Sequence, residues 1–311
     1  NYRKNKYNFY SKLSTNNKKK YKDGERKTLT EYMLNDGTSS TEILHYTSIN
    51  LTDASSKRIQ LGLDYYLSDE LTLNWELGFD SNLREENKTQ LFIDGNDFSQ
   101  DGSTYNTIGK DDRSNYDSEG IFELRKTFVD FPDRELSLSV VHHNHDDFES
   151  EELNLDLEGV DANRDDITYV ANDLDMYEID FNYNLPIDDQ QKIEFGYNGD
   201  FVSSDQSMDF ELAGLEGIND FYYDRDIQAV YLEYERQLSE KFSIKPSIRY
   251  ELVSKNIKSE MRNFIQDDFS GQSALGQYLV FNPDNNLNSN VDIEHSAVYP
   301  DLHFKYNLNK K

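Results

Sequence analysis

The chain contains no cysteine, which removes disulfides and thiolate metal sites and is compatible with an oxidising compartment without requiring one. Proline and tryptophan are also scarce, at 5 and 1 in 311 residues. Basic charge is short: 32 Lys and Arg stand against 60 Asp and Glu, a formal net charge of -28. Phosphate backbones are held by Lys and Arg clustered on one face, so a nucleic-acid partner is excluded. No uninterrupted apolar run approaches the roughly 20 residues of a membrane-spanning helix. The mean hydropathy of -0.86 still leaves a membrane barrel open, because a barrel strand crosses in about 9 to 11 residues and shows lipid only alternate side chains. Nucleophile elbow, phosphate loop and zinc helix are all missing. Carboxylate pairs in so acidic a chain carry no glycosidase signal, and the expectation is a protein that is not an enzyme. Asn1 is not Met, and no leader with a cleavage site opens the chain, so an internal piece of a longer protein is expected, with no signal peptide in residues 1–311.

What is present is a strand composition, with 22 Tyr and 18 Phe suiting pleated surfaces better than helices or disorder. Residues 59–79 show the pattern most clearly. One list runs Ile59, Leu61, Leu63, Tyr65, Leu67, Leu71, Leu73, Trp75, Leu77, Phe79; the interleaved one holds Gln60, Asp64, Thr72, Asn74, Glu76 and Asp80. Alternation of period two places these lists on opposite faces of two strands joined at Ser68-Asp69-Glu70. The same alternation recurs around Tyr7 to Leu13, Phe122 to Phe128, Leu136 to Val140, Tyr177 to Leu185, Ile193 to Phe201, Val230 to Leu238, Phe242 to Leu252 and Leu302 to Leu308. Ten long strands result. Their connections alternate between three to five residues and stretches rich in Asp, Asn, Gly and Ser, read as loops over residues 84–116, 146–173, 204–225 and 254–294. Residues 15–56 read instead as a hairpin excursion of the first two strands about Asn35-Asp36-Gly37.

That alternation separates the two all-β options. Sandwiches carry loops of mixed length at both ends, whereas outer-membrane barrels have short periplasmic turns and long extracellular loops. Tyr65, Tyr66, Tyr183, Tyr234 and Tyr306, all near short turns, suit an interfacial girdle. The fold class expected is therefore an antiparallel meander forming part of a transmembrane barrel in outer-membrane lipid. Asp64, Glu76, Asp80, Glu123, Arg125, Glu178, Asp180, Glu194, Glu233, Glu235, Arg249, Glu251 and Lys305 are then lumen residues, which a dry core would leave unpaired. Pro246, on the apolar side of its strand, predicts a bulge.

Several segments resemble the late barrel strands of TonB-dependent outer-membrane receptors, in the outer-membrane β-barrel family common in Bacteroidetes. They are the run from Asp226 to Tyr234 followed by Phe242 to Glu251 with its Arg249-Tyr250-Glu251 ending, Leu61-Gly62-Leu63-Asp64-Tyr65-Tyr66-Leu67, Glu194-Phe195-Gly196-Tyr197 and Tyr299-Pro300-Asp301-Leu302-His303-Phe304. The resemblance implies a 22-stranded barrel plugged by an N-terminal domain and import of a scarce ligand (siderophore, oligosaccharide or peptide) driven through TonB. It also implies a TonB complex contacted through a plug that these residues do not contain, and a surface-exposed substrate-binding lipoprotein as partner. Residues 1–311 would then be about half of a barrel. A second option is a surface β-protein that binds without transporting.

Two metal readings are open. His143 and His145 share a face beside His142, Asp146 and Asp147, a spacing that suits a ligand pair as well as a solvated rim. Asp161, Asn163, Asp165 and Asp166 begin like a calcium loop, yet the sixth position lacks Gly and the twelfth is Asn172 rather than Glu. Asp94, Gly95, Asn96, Asp97 and Asp101 are similarly irregular. Calcium at these acidic outer loops competes with plain turn chemistry.

Overall fold

A computed structural model describes residues 2–4, 6–33, 39–94, 104–157, 164–212, 215–262 and 287–306. They form one antiparallel sheet in which every strand lies beside its neighbours in sequence. A three-residue strand, β1 (Tyr2–Lys4), precedes ten long ones: β2 (Tyr7–Met33), β3 (Ser39–Tyr66), β4 (Leu71–Asp94), β5 (Thr104–Phe128) and β6 (Phe131–Leu157), then β7 (Arg164–Asp188), β8 (Gln191–Leu212), β9 (Leu215–Ser239), β10 (Phe242–Arg262) and β11 (Leu287–Tyr306). Among the described residues no helix is long and apolar enough to cross a membrane.

The period-two pattern sets the faces and the ladder keeps them in step from strand to strand. Leu63 of β3 pairs with Trp75 of β4, and Trp75 with Phe122 of β5. Asp64 pairs with Asn74, and Asn74 with Glu123. Following the registers to β11 puts one outward row on every strand: Ile59 to Tyr65 on β3, Leu71 to Phe79 on β4, Tyr177 to Tyr183 on β7, Ile193 to Phe201 on β8 and Phe242 to Leu252 on β10. These rows span seven to eleven residues near the short turns, close to the length needed to cross a hydrocarbon layer on a tilted strand. The sheet does not hide them. Trp75 is 49% exposed and Phe304 64%, and Ala229 is the buried apolar residue among those described. A sandwich would bury these same side chains in a shared core; here they form a wall with an apolar outside.

Past the belt the strands continue. At about 3.3 Å per residue, strands of 20 to 28 residues reach roughly 65 to 90 Å, far more than a membrane requires. The outward row turns polar there, through Ser81, Ser118, Asn144, Asp173, Ser203, Asp226 and Ser254, with isolated apolar positions such as Leu51 and Leu83. Most of the stretches predicted as loops are therefore paired strand. Arg84 opposes Arg113, Glu152 opposes Ile167, Glu211 opposes Glu216 and Glu260 opposes Asn288. Their Asp, Asn and Ser content reads as loop because both faces are wet, so the two-residue alternation vanishes while the ladder persists. The excursion predicted for residues 15–56 is present as the upper parts of β2 and β3, paired without a break.

The short turns also hold one another. Ser68 and Leu71 exchange backbone hydrogen bonds of 3.3 and 3.4 Å. Glu70 accepts from the backbone N–H groups of Thr127, at 2.8 Å through its carbonyl, and of Val129, at 2.6 Å through its carboxylate. Gln237 N–H donates to the Gln190 carbonyl at 2.8 Å, and Asp188 accepts from Gln190 N–H. Two sequence expectations need correction here. Pro246 produces no bulge: the β9 to β10 register is the same at Ile244 and Ser247, Lys245 and Pro246 simply drop out of it, and the shift falls at Phe242 and Ser243. The ring costs one hydrogen bond without inserting a residue. Tyr66 does not join the girdle, because it pairs with Thr72 on the inward parity, while Tyr65 stacks outward on Tyr7 at 4.6 Å.

Candidate functional site

The inward face is the side on which the register gathers polar chemistry. Every lumen residue expected from sequence falls on it, from Asp64 on β3 to Lys305 on β11. They do not form one cluster. On β2 to β4, Asn8 donates to Asp64 at 2.7 Å and Tyr10 donates to Glu76 at 2.7 Å, with Gln60 on the other oxygen of Glu76. Asp80 faces Arg58 at 3.6 Å, and Arg125 donates to Glu135 at 2.7 Å.

The densest group lies on β7 to β10. Asn198 donates to Asp180 at 2.5 Å and accepts from Arg249 at 2.7 Å, and Arg249 also reaches Glu251 at 3.2 Å. Lys245 pairs with Glu233, and Tyr231 donates to Asn182. Glu194, Asn198, Tyr231, Glu233, Arg249 and Asp301 line a concavity of about 530 Å³ over this network. Glu178 stands higher on β7; its cross-strand neighbour Asp200 is taken by Arg225 at 2.8 Å. The structure thus joins Arg249 to Glu251 directly and to Asp180 through Asn198, and sets Glu233 beside them, while Asp64, Glu76, Asp80 and Arg125 stay in separate pairs.

The neutral linkers are what the sequence reading missed. Asn198, Asn182, Tyr10 and Tyr231 occupy the inward parity, and that was the available signal. Two glycines make the links possible. Tyr10 lies across Gly62 to reach Glu76 two strands away, and Tyr231 lies across Gly196 to reach Asn182 in the same way. A Cβ at Gly62 would collide with Tyr10 Cζ, and one at Gly196 would meet both Tyr231 and the Phe181 carbonyl. Glycine here supplies room for a close approach.

His145 Nδ1 lies 2.6 Å from Asp117 Oδ1, and His143 Nε2 lies 3.9 Å from the same oxygen, all on the inward face above the network. His142 points outward, 2.6 Å from Asp175 and stacked on Tyr177 at 4.4 Å. Asp147 is taken by Arg113 and Asn115. Among the described residues no three His, Asp or Glu are arranged to hold a metal. Asp161 and Asn163 lie outside the described residues, as do residues 95–103, whereas Asp165 accepts from Asn154 across β6 and β7.

Outside and above the belt, Asp146, Asp173 and Asp205 stand directly opposite one another across β6, β7 and β8. Partial burial, then the charge of Asp146 beside it, holds the Asp173 carboxyl above its ordinary range.

A model of the Outer membrane protein beta-barrel family matches residues 127–311. Among solved structures, the in-vitro folded OmpT of Vibrio cholerae, an outer membrane protein in its trimer form, is similar at 10% identity over 95% of this chain and 99% of that one. Its TM-score is 0.22, too low to support a structural inference. No curated protein matches.

Proposed function

Because the chain belongs to the Outer membrane protein beta-barrel family, the matched residues 127–311 being more than half of it, we propose that it is the wall of a TonB-dependent outer-membrane receptor for a scarce ligand. The short turns then lie on the periplasmic side and the long arms outside the cell. The observation that carries the proposal is the connected inward network, Asp180 to Asn198 to Arg249 to Glu251, behind an apolar belt that faces lipid. It supplies donors and acceptors of both signs along a wetted path, which suits a polar siderophore, oligosaccharide or peptide passing inward. The resemblance of the strand motifs supports the energy coupling, with a plug and the TonB complex as partners and a substrate-binding lipoprotein meeting the arms. No residue is assigned a catalytic role.

Uptake of labelled candidate ligands by cells carrying the full-length protein tests this. Accumulation should stop when the proton gradient is collapsed, and Arg249→Ala should lower it while leaving the protein in the membrane. The second reading, a surface barrel that binds without transporting, is favoured by arms that continue as sheet well beyond the belt. It requires surface binding that collapse of the gradient leaves unchanged and no accumulation under either condition.

A further inference from the structure

On the lipid-facing side, at the short-turn end of β5 and β6, two cations converge on one aromatic ring. The Arg134 guanidinium lies 4.3 Å from the Phe128 centroid and 5.4 Å from that of Tyr183, and Lys126 Nζ lies 5.0 Å from Phe128. Arg134 also donates through Nε to the Tyr183 hydroxyl. Register sets the face and the height. Lys126 pairs with Leu136 and Leu136 with Tyr183, so these residues are in the outward row at the foot of the belt, the headgroup level of the periplasmic leaflet.

The partners of these two charges are rings. In a chain of net charge -28, Arg84, Arg113, Arg125, Arg225, Arg249 and Arg262 each reach a carboxylate. Among the described residues Arg134 and Lys126 reach none, and neither does Arg236 in the outward row of β9; what distinguishes Arg134 and Lys126 is the ring they share. The Glu135 and Glu70 carboxylates are engaged by Arg125 and by Val129 N–H, and Asp130 and Asp133 in the same turn pair with neither cation. Both cations stack on Phe128, and among the described residues the terminal Nη groups of Arg134 have no acceptor, so the pair offers charge and donors to an anion.

We propose that Arg134 and Lys126, framed by Phe128 and Tyr183, bind the phosphate of a phospholipid headgroup in the periplasmic leaflet. The guanidinium presents paired donors to the phosphate oxygens and Lys126 adds charge. Phe128 and Tyr183 meet the upper part of the acyl chains, as interfacial aromatics do. The occupant is a lipid rather than a soluble anion because the same outward row runs from Leu136, level with Lys126, up through Leu138 and Val140, which face hydrocarbon.

Native mass spectrometry of the full-length protein, extracted from outer membranes in detergent, tests this with phosphatidylglycerol and phosphatidylcholine of matched chains. Retention of phosphatidylglycerol should be about tenfold stronger, because the trimethylammonium of phosphatidylcholine offsets its phosphate charge and is repelled by the two cations. Arg134→Gln with Lys126→Gln should abolish the preference, whereas Arg113→Gln in the arm should keep it. A preference that survives the double variant overturns the site. So does displacement of the lipid by millimolar inorganic phosphate, which would mark a general anion site. Equal retention of the two lipids by the unaltered protein overturns it without any variant, even if the double variant fails to fold.

Discussion

The lower and upper parts of the same strands differ in everything except their hydrogen bonds. Near the short turns Leu63 and Trp75 oppose each other on the outside while Asp64 and Asn74 oppose each other on the inside. Higher on the same strands Asp53 opposes Glu85 and Thr52 opposes Glu86, and the outward row holds only scattered apolar positions such as Leu51 and Leu83. The backbone ladder is continuous across both regions. What changes is the solvent against the outer face, and the side chains follow it. An apolar face is needed only where lipid stands, and a ladder whose polar groups are fully paired can run on into water without one.

The strongest way to break this comparison is to put one charge at each level. Leu63→Arg, in the belt, should destabilise the membrane-folded protein by about 2 to 4 kcal/mol, whereas Ser203→Arg, outward in the arm, should stay within about 0.5 kcal/mol. Equilibrium unfolding in lipid vesicles measures both, and equal costs would remove the distinction between the regions. A smaller effect is expected at the inward crossings. Gly196→Ala sets a methyl against the Phe181 carbonyl, which cannot swing away, and should cost about 1 to 3 kcal/mol. Tyr231→Phe, losing only the hydrogen bond to Asn182, should cost about 0.5 to 1.5 kcal/mol in the same assay.

The arm offers a pH test of its own. Asp173 has a raised carboxyl pKa, so the folded arm holds its proton more tightly than the unfolded chain does. The resulting stabilisation is full below the unfolded value and is lost as pH rises through the raised folded one. Amide exchange across β6 to β8, corrected for its intrinsic pH dependence, should therefore quicken over that window, and Asp173→Asn should abolish the change. Smallest of all is Arg113→Gln. Its bonds to Asp147, at 2.7 and 3.2 Å, are partly exposed, so removal should cost no more than about 1 kcal/mol and less at high salt.

The belt was legible because each of its residues reports its own side: Ile59 to Phe79 alternates strictly, and Ser68-Asp69-Glu70 breaks the run where the turn falls. The inward parity of Asp64, Glu178 and Arg249 follows from the same local rule. The arms were not legible. Residues 84–116 and 204–225 carry Asp, Asn and Ser on both faces, and only a partner strand makes such a segment extended. Pro246 misled for a related reason, since its ring predicts a defect whose form depends on what the neighbouring strand does.

By itself, then, the order of residues determined which side chains of the belt face lipid and which face the interior, since that is a property of a pleated chain and needs no partner. Tertiary structure decided how far the sheet climbs past the membrane, which carboxylates meet through Asn198, where Tyr10 and Tyr231 cross a glycine, and that Arg134 and Lys126 share the Phe128 ring. Those depend on register between strands many residues apart, and a single strand carries no information about its partner's offset.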